Sequence, residues 1–331
     1  MKAIWFDKFG EAADCLQYGD LPQPTPAEGE VLVRLHTSGP NPSDVKKRAG
    51  ATAPSLLDEG YVIPHSDGAG VIEAVGEGVP AARVGERVWV YQAQYGRRFG
   101  TAAEYICVES RRAPRLPDSA SFEIGACLGI PVMTAHRCVF SDGDVKGKTV
   151  LVTGGAGRVG YYAIQWAAQA GARVIATASN PDDEADCLDA GADIVLNHRM
   201  PDWPEMLLNA TGGEKVDRVV DVEFGENLEK VLDVINTNGV IATYSSSHNQ
   251  QPVLPFYRMM FMDLTVRMVI VYAMPEDAKA QAIADIEVAL EAGKLKHRIA
   301  RTVPLAKCAE AHELIEAGKL RGCLVVSTEV D

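Results

Sequence analysis

A chain of 331 residues with 47% hydrophobic and 23% charged residues holds material for two ordinary globular cores. Its formal net charge of −13 excludes broad nonspecific binding to nucleic acid or to anionic membranes through a basic surface. No apolar run at the N-terminus reads as a secretory signal and none later is long enough to span a bilayer, so cytoplasmic residence is expected. The seven cysteines are scattered and none has C-x-x-C spacing, which suggests neither a zinc ribbon nor a disulfide framework.

To about residue 120 the chain reads as β-rich. Strands are expected over 31–35, 70–76, 87–91 and 103–108, punctuated by Gly and Pro at the short intervals of a compact barrel-like domain. Ser121 then suits the N-cap of a helix. From there strands at 149–152, 173–177, 194–197, 216–222, 239–244 and 264–272 alternate with helices near 158–170, 182–190, 203–210, 226–236 and 255–262. That alternation predicts a doubly wound parallel sheet. The tail differs again, with a helix over 276–292, a short helix over 306–317 and a last strand over 323–327. It is expected to return to the first domain, because the six-stranded unit is already complete. The expected domains are therefore 1–120, 121–272 and a returning 273–331.

The most informative stretch is Val150 to Gly160, a branched aliphatic strand running into glycines. Gly155, Gly157 and Gly160 have G-x-G-x-x-G spacing, and a helix-forming run from Tyr161 follows at once. The first glycine permits a tight turn, the second lets backbone approach a pyrophosphate, and the third lets helix pack closely on strand. The free N–H groups of the helix start, at Arg158, Val159 and Gly160, suit a phosphate. The competing reading is a structural glycine turn in some other βαβ unit.

Further segments fall in a recognisable order. They are Gly39-Pro40-Asn41-Pro42-Ser43-Asp44, Gly68 to Gly76, Gly85 to Val88, Gly129 to Ala135, the glycine loop, Asn197-His198-Arg199, and Ala309-Glu310-Ala311-His312. On these the chain resembles the zinc-free quinone oxidoreductases of the ζ-crystallin type, within the medium-chain dehydrogenase/reductase superfamily. The resemblance implies an α/β chain with a GroES-like β-rich catalytic domain and a doubly wound (Rossmann) dinucleotide-binding domain. It also implies an NADPH preference and a homodimer. Zinc-dependent members of the superfamily carry Cys where Asn41 stands, His where Ser66 stands and usually Cys near Ile130. None of these three residues is a credible zinc ligand, and 91–103 holds no cysteine for a structural zinc lobe. A site rebuilt from His65, Asp67 and Asp44 would need three new ligands, so no metal is expected.

The end of the second Rossmann strand, Thr177-Ala178-Ser179-Asn180, has no acid to bind a ribose 2′-hydroxyl, so a 2′-phosphate is not repelled directly. Ser179 or Asn180 can donate to it. Related reductases often carry a Lys in the next turn, where this chain has Asp182, Asp183 and Glu184; those acids suit the start of a helix. The cations left to recognise NADPH over NADH are His198, Arg199 and Arg158, the last facing either phosphate or solvent. By resemblance Thr134 flanks the nicotinamide, and Arg321 belongs to a C-terminal element that closes over the cofactor. Ser245 follows the fifth strand, where ligands bind. Val271, within 269–272, offers backbone to the carboxamide, as a buried edge strand, as a strand paired across a dimer axis, or as both.

A quinone or an enone accepts hydride without a metal to polarise it, so the protein must supply a donor to the acceptor oxygen and an apolar slot. Asn41 suits that donor; its competing role is to fix the turn at 39–42. The tyrosines typical of the family are replaced by Lys46 and Thr52. Lys46 reads as a proton donor, as an anchor for an anionic substrate, or as a solvated lysine beside Lys47 and Arg48. Tyr95, in the 91–99 loop, is a further phenol for the slot. The expected activity is NADPH-dependent reduction of a quinone or related conjugated carbonyl. Two other readings stand beside it: a dinucleotide-binding protein without significant catalysis (a sensor, a crystallin-like or an RNA-associated protein) and a zinc alcohol dehydrogenase.

Overall fold

The computed structural model describes residues 1–329. It divides into two compact units, Met1–Ile130 together with the chain from Ile283 onward, and Pro131–Ala282. The first division lies after Ile130 rather than near 120, because the intervening residues are bonded into the first unit. Ser121 Oγ accepts from Ile124 N–H and caps a short helix whose Phe122 O accepts from Thr37 Oγ1 at 2.6 Å, and Ile130 N–H donates to the Asp67 carboxylate at 2.8 Å.

The first unit opens with β1 (Lys2–Trp5) and β2 (Gln17–Asp20), an antiparallel pair that was not read from the sequence, with α1 (Ala12–Cys15) between them. Next come β3 (Glu30–Gly39), α2 (Pro42–Arg48), β4 (Asp67–Val75), β5 (Arg87–Val90), β6 (Tyr105–Glu109) and α3 (Phe122–Gly125). β3 is the hub, pairing antiparallel with both β4 and β6. Its alternation turns Val31, Val33 and Leu35 onto one face, where they pack with Ile72, Val88, Val90, Ile106 and Val108.

The second unit runs α4 (Met133–Phe140), β7 (Thr149–Val152), α5 (Arg158–Gln169), β8 (Arg173–Ala178), α6 (Pro181–Ala190), β9 (Ile194–Asn197), α7 (Trp203–Ala210), β10 (Val216–Asp221), α8 (Phe224–Val234), β11 (Ile235–Thr243), α9 (Phe256–Phe261) and β12 (Thr265–Met268). Its strands form a six-stranded sheet in the order β12-β11-β10-β7-β8-β9, with every pairing parallel. Successive strands step outward on one side of β7 and then, from β10, on the other. The crevice at the carboxyl end of β7 is the switch point at which such sheets bind ligands.

The strand expected over 264–272 is shorter than that. β12 ends at Met268, Val269 N–H makes one more bond to Thr243 O, and Val271–Ala273 close a single 3-10 turn. The turn directs the chain away from β11, so the ladder does not continue past Val269. Val271 is therefore buried in a turn rather than in an edge strand.

α10 (Glu276–Glu291) leads to β13 (Ile299–Pro304), α11 (Cys308–Glu316) and β14 (Cys323–Ser327). β14 pairs parallel with β13 and antiparallel with β3, through Val326 with Ser38 and Ser327 with Thr37. This pairing returns the chain to the first unit from Ile283 rather than from 273, the start of α10 belonging to the second. Among the described residues no helix is long and apolar enough to cross a membrane.

Candidate dinucleotide and substrate site

The glycine loop sits between β7 and α5. Gly154 takes φ +60, a left-handed conformation that favours glycine. The loop is pinned to the end of β8: Gly154 N–H donates to Thr177 Oγ1 at 3.0 Å and Gly155 N–H to Thr177 O at 2.8 Å. Gly157 is exposed and caps α5. Gly160 faces inward, where a Cβ would lie 2.5 Å from Gly154 O. The first bond of the helical ladder is Tyr161 N–H to Gly157 O at 3.0 Å, so the N–H groups of Val159 and Gly160 precede it. This is a helix N-terminus shaped for an anion. A brace holds the neighbouring strand ends: Thr153 Oγ1 and Asn227 Nδ2 both donate to Asp221 Oδ1, and Val222 N–H donates to Thr153 Oγ1. Ser245 lies just past β11, where its carbonyl accepts from Phe224 N–H at the start of α8. Thr134 is buried on α4.

Past β8 the structure adds an acid that the sequence reading had assigned to the helix alone. Asn180 caps α6, its Oδ1 accepting from Asp183 N–H at 3.0 Å. In return the Asp183 carboxylate accepts from Asn180 Nδ2 at 2.6 Å and from Ser179 Oγ at 3.2 Å. The two donors expected to meet a 2′-phosphate thus already serve a carboxylate. The spacing Asn180-x-x-Asp183 is that of a capping box, with Asp in the reciprocating position, and is the signal by which the sequence could have shown this. Arg158 is half-buried; His198 and Arg199 are exposed beyond β9.

In the first unit Asn41 precedes α2 and is buried. Its Nδ2 donates to Gly39 O at 3.0 Å and to Asp67 Oδ2 at 2.9 Å, and its N–H donates to Asp44 Oδ2. Both amide hydrogens are committed, one within the turn to Gly39 O and one to Asp67 on β4. Burial raises the Asp67 carboxyl well above the usual carboxylate range, against the opposing Ile130 and Asn41 bonds. Lys46 is exposed on α2, and Tyr95 is exposed on its loop. Lys47 joins these two elements, its Nζ lying 3.2 Å from Gln94 Oε1. Arg98 in the same loop stacks on Tyr61 and Phe99 and donates to Tyr61 O. Arg321 is exposed just before β14. Asn41, Lys46, Tyr95 and Arg321 belong to the first unit; Thr134, the glycine loop, Ser179, His198, Arg199, Ser245 and Val271 belong to the second.

At the three positions where zinc-dependent relatives hold the ion, Asn41 is a committed amide, Ser66 a hydroxyl and Ile130 an alkyl chain. This is not a donor set that zinc(II) takes.

Two family models match the chain: the alcohol dehydrogenase GroES-like domain over residues 27–118, and the zinc-binding dehydrogenase over 159–287. They define the medium-chain dehydrogenase/reductase class. Human quinone oxidoreductase is 30% identical over 319 residues, 96% of this chain and 94% of the relative. A solved Escherichia coli quinone oxidoreductase complexed with NADPH is 26% identical, covers 99% of this chain and 100% of its own, and has a TM-score of 0.86. A solved NAD-dependent alcohol dehydrogenase is 30% identical, covers 99% of this chain and 100% of its own, and has a TM-score of 0.89. The chain belongs to the quinone oxidoreductase family of that class and is an oxidoreductase.

Proposed function

We propose that the chain is an NADPH-dependent reductase of quinones or related conjugated carbonyls, working without zinc. The glycine loop carries this reading: it is solvent-exposed at Gly157, where a Cβ would already crowd Gly154 O at 3.0 Å, closed against Gly154 at Gly160, and lies at the switch point of a parallel sheet. A reduced nicotinamide dinucleotide bound there supplies the hydride. The N–H groups of Val159 and Gly160, with Gly155 and Gly157 at the turn, hold its pyrophosphate. With Ser179 serving Asp183, selection of the 2′-phosphate falls to Arg158, His198 and Arg199. Thr134, Ser245, the Val271 backbone and Arg321 complete the cofactor contacts. On the substrate side we assign Asn41, Lys46 and Tyr95. Asn41 acts by turning one N–H from Gly39 or Asp67 toward the acceptor oxygen.

A conjugated acceptor suits a donor set at Asn41, Ser66 and Ile130 that offers no zinc ligand. The solved relative with bound NADPH supports the choice of cofactor, and the NAD-dependent relative is its counterweight. We assign the protein to the cytoplasm, since none of the seven cysteines is in a disulfide. We also infer a homodimer built on the β12 edge.

The test is oxidation of NADPH and NADH against a panel of quinones, enals and enones. Turnover of a conjugated acceptor with NADPH preferred is the expected result. NADPH binding with no turnover across the panel would replace this reading with the non-catalytic one. Zinc at one per chain, required for alcohol oxidation, would replace it with the zinc alcohol dehydrogenase.

A further inference from the structure

One convergence of ligand-type side chains takes no part in the site described above. His65, Cys308 and His312 are each fully buried in the first unit, and their ligand atoms lie within 4.8 Å of one another. His65 Nε2 is 2.9 Å from His312 Nε2 and 3.7 Å from Cys308 Sγ. Cys308 and His312 stand four residues apart on α11 and so share a face. His65 reaches them from the segment before β4, with φ +78, a conformation uncommon outside glycine.

A hydrogen-bond relay sets the tautomer of His65. Thr101 Oγ1 donates to Asp67 O. It therefore accepts the Ser38 hydroxyl proton, across 2.8 Å. Ser38 Oγ in turn accepts from His65 Nδ1, across 2.7 Å. The proton sits on Nδ1, and the Nε2 lone pair points at His312 and Cys308. Ligating histidines are oriented by this kind of bond on their other nitrogen.

We propose that His65 Nε2, His312 and Cys308 Sγ form a three-coordinate site for copper(I), separate from the hydride-transfer site. Two imidazoles and a thiolate are a soft donor set. One thiolate cancels the charge of one copper(I), leaving a neutral centre among buried groups. Zinc(II) would leave a net positive charge there and call for a fourth ligand. The 3.7 Å sulfur–nitrogen spacing already suits two bonds to one ion. The two nitrogens, now at hydrogen-bond distance, open to about 3.5 Å around metal–nitrogen bonds of about 2.0 Å. His65 accepts at Nε2 and His312 Nδ1 has no partner to take a second proton, so both rings are neutral ligands. Cys308 meets the ion as a thiol S–H. Binding forms the copper–sulfur bond and releases that proton to solvent. His312 moves its own proton from Nε2 to Nδ1, a buried atom with no hydrogen-bond partner in the metal-free form.

The test uses the full chain, purified metal-free and titrated anaerobically with copper(I) against a chromophoric copper(I) chelator. One copper per chain is expected, with one sulfur and two nitrogens in its X-ray absorption fine structure. Cys308→Ser should lose the sulfur shell and at least about a hundredfold in affinity, while Cys15→Ser keeps both. His65→Gly, whose backbone suits φ +78, should also lose the copper while keeping the native circular dichroism spectrum. No uptake against the chelator, unchanged binding in Cys308→Ser, or zinc bound to the exclusion of copper would each overturn the assignment.

Discussion

Asn41 spends both amide hydrogens inside its own unit, on Gly39 O and on Asp67. Removing it strands a buried carboxyl and a carbonyl, each of which costs about 1–2 kcal/mol when unpaired. Asn41→Ala should therefore lower unfolding free energy by about 2 kcal/mol in a urea titration. It should lower turnover as well, a pairing of losses that a purely substrate-facing residue would not show. Asp183 is the second residue whose neighbours define it. Its carboxylate faces the donors that a 2′-phosphate would otherwise use. Asp183→Asn keeps an acceptor for them and removes the charge. The ratio of kcat/KM for NADPH to that for NADH should rise about tenfold, equivalent to about 1.4 kcal/mol. No change in that ratio would place the 2′-phosphate elsewhere. Neighbours in sequence also diverge: Lys46 is exposed, Lys47 reaches Gln94, and Arg48 is fully buried, bonded to Gly10 O and to Glu316 on α11.

Among the elements of the second unit, β12 is an edge strand fastened by a bidentate pair. Arg267 Nε donates to Asp142 Oδ2 at 2.6 Å and Arg267 Nη2 to Asp142 Oδ1, joining β12 to the turn after α4. The Arg267 bonds hold the Asp142 carboxyl down at about 2. A carboxyl lowered in the folded state binds fewer protons there than in the unfolded chain. Its stabilisation is thus fully present above about pH 4 and lost as pH falls toward 2. Arg267 is 33% exposed, so the discounted contribution is about 1 kcal/mol. Asp142→Asn should lose this amount in denaturant titrations at pH 7 and clearly less at pH 2, where the folded-state carboxyl is about half protonated. An equal loss at both values would mean that packing, not charge, holds the strand.

At the scale of the whole molecule, the unpaired edge of β12 and the adjoining α9 expose a run of large apolar side chains. Phe256, Tyr257 and Phe261 on α9 are 65%, 70% and 78% exposed, and Met268 and Ile270 are 72% and 55% exposed. An edge strand flanked by such a surface invites pairing with a second copy. Sedimentation should find a dimer in the native chain and a monomer in Phe261→Glu/Met268→Glu. A monomeric native chain would remove the β12 edge from this role.

Several features were legible from local order alone. The alternation of strand and helix from 149 onward defined the parallel sheet, and the G-x-G-x-x-G spacing marked the loop that heads α5, because periodicity and glycine conformation act over a few residues. The strand expected over 264–272 ends early because apolar Val269 and Val271 suit strand and buried turn alike. Only the last bond of Val269 N–H to Thr243 O and the turn that follows at Val271–Ala273 decide between them. Asn41 was legible as a turn residue or a donor; its bond to Asp67, across 26 residues, belongs to tertiary structure. Most of all, nothing near His65 announces Cys308 and His312. The sequence by itself determined the two folding patterns, the glycine loop and the residue types at the zinc positions. Tertiary structure alone decided which donors were already spent and which distant ligands met. Hydrogen bonds and metal-type contacts depend on distances across the fold, and the return of β14 onto β3 is what brings residues hundreds of positions apart into one core.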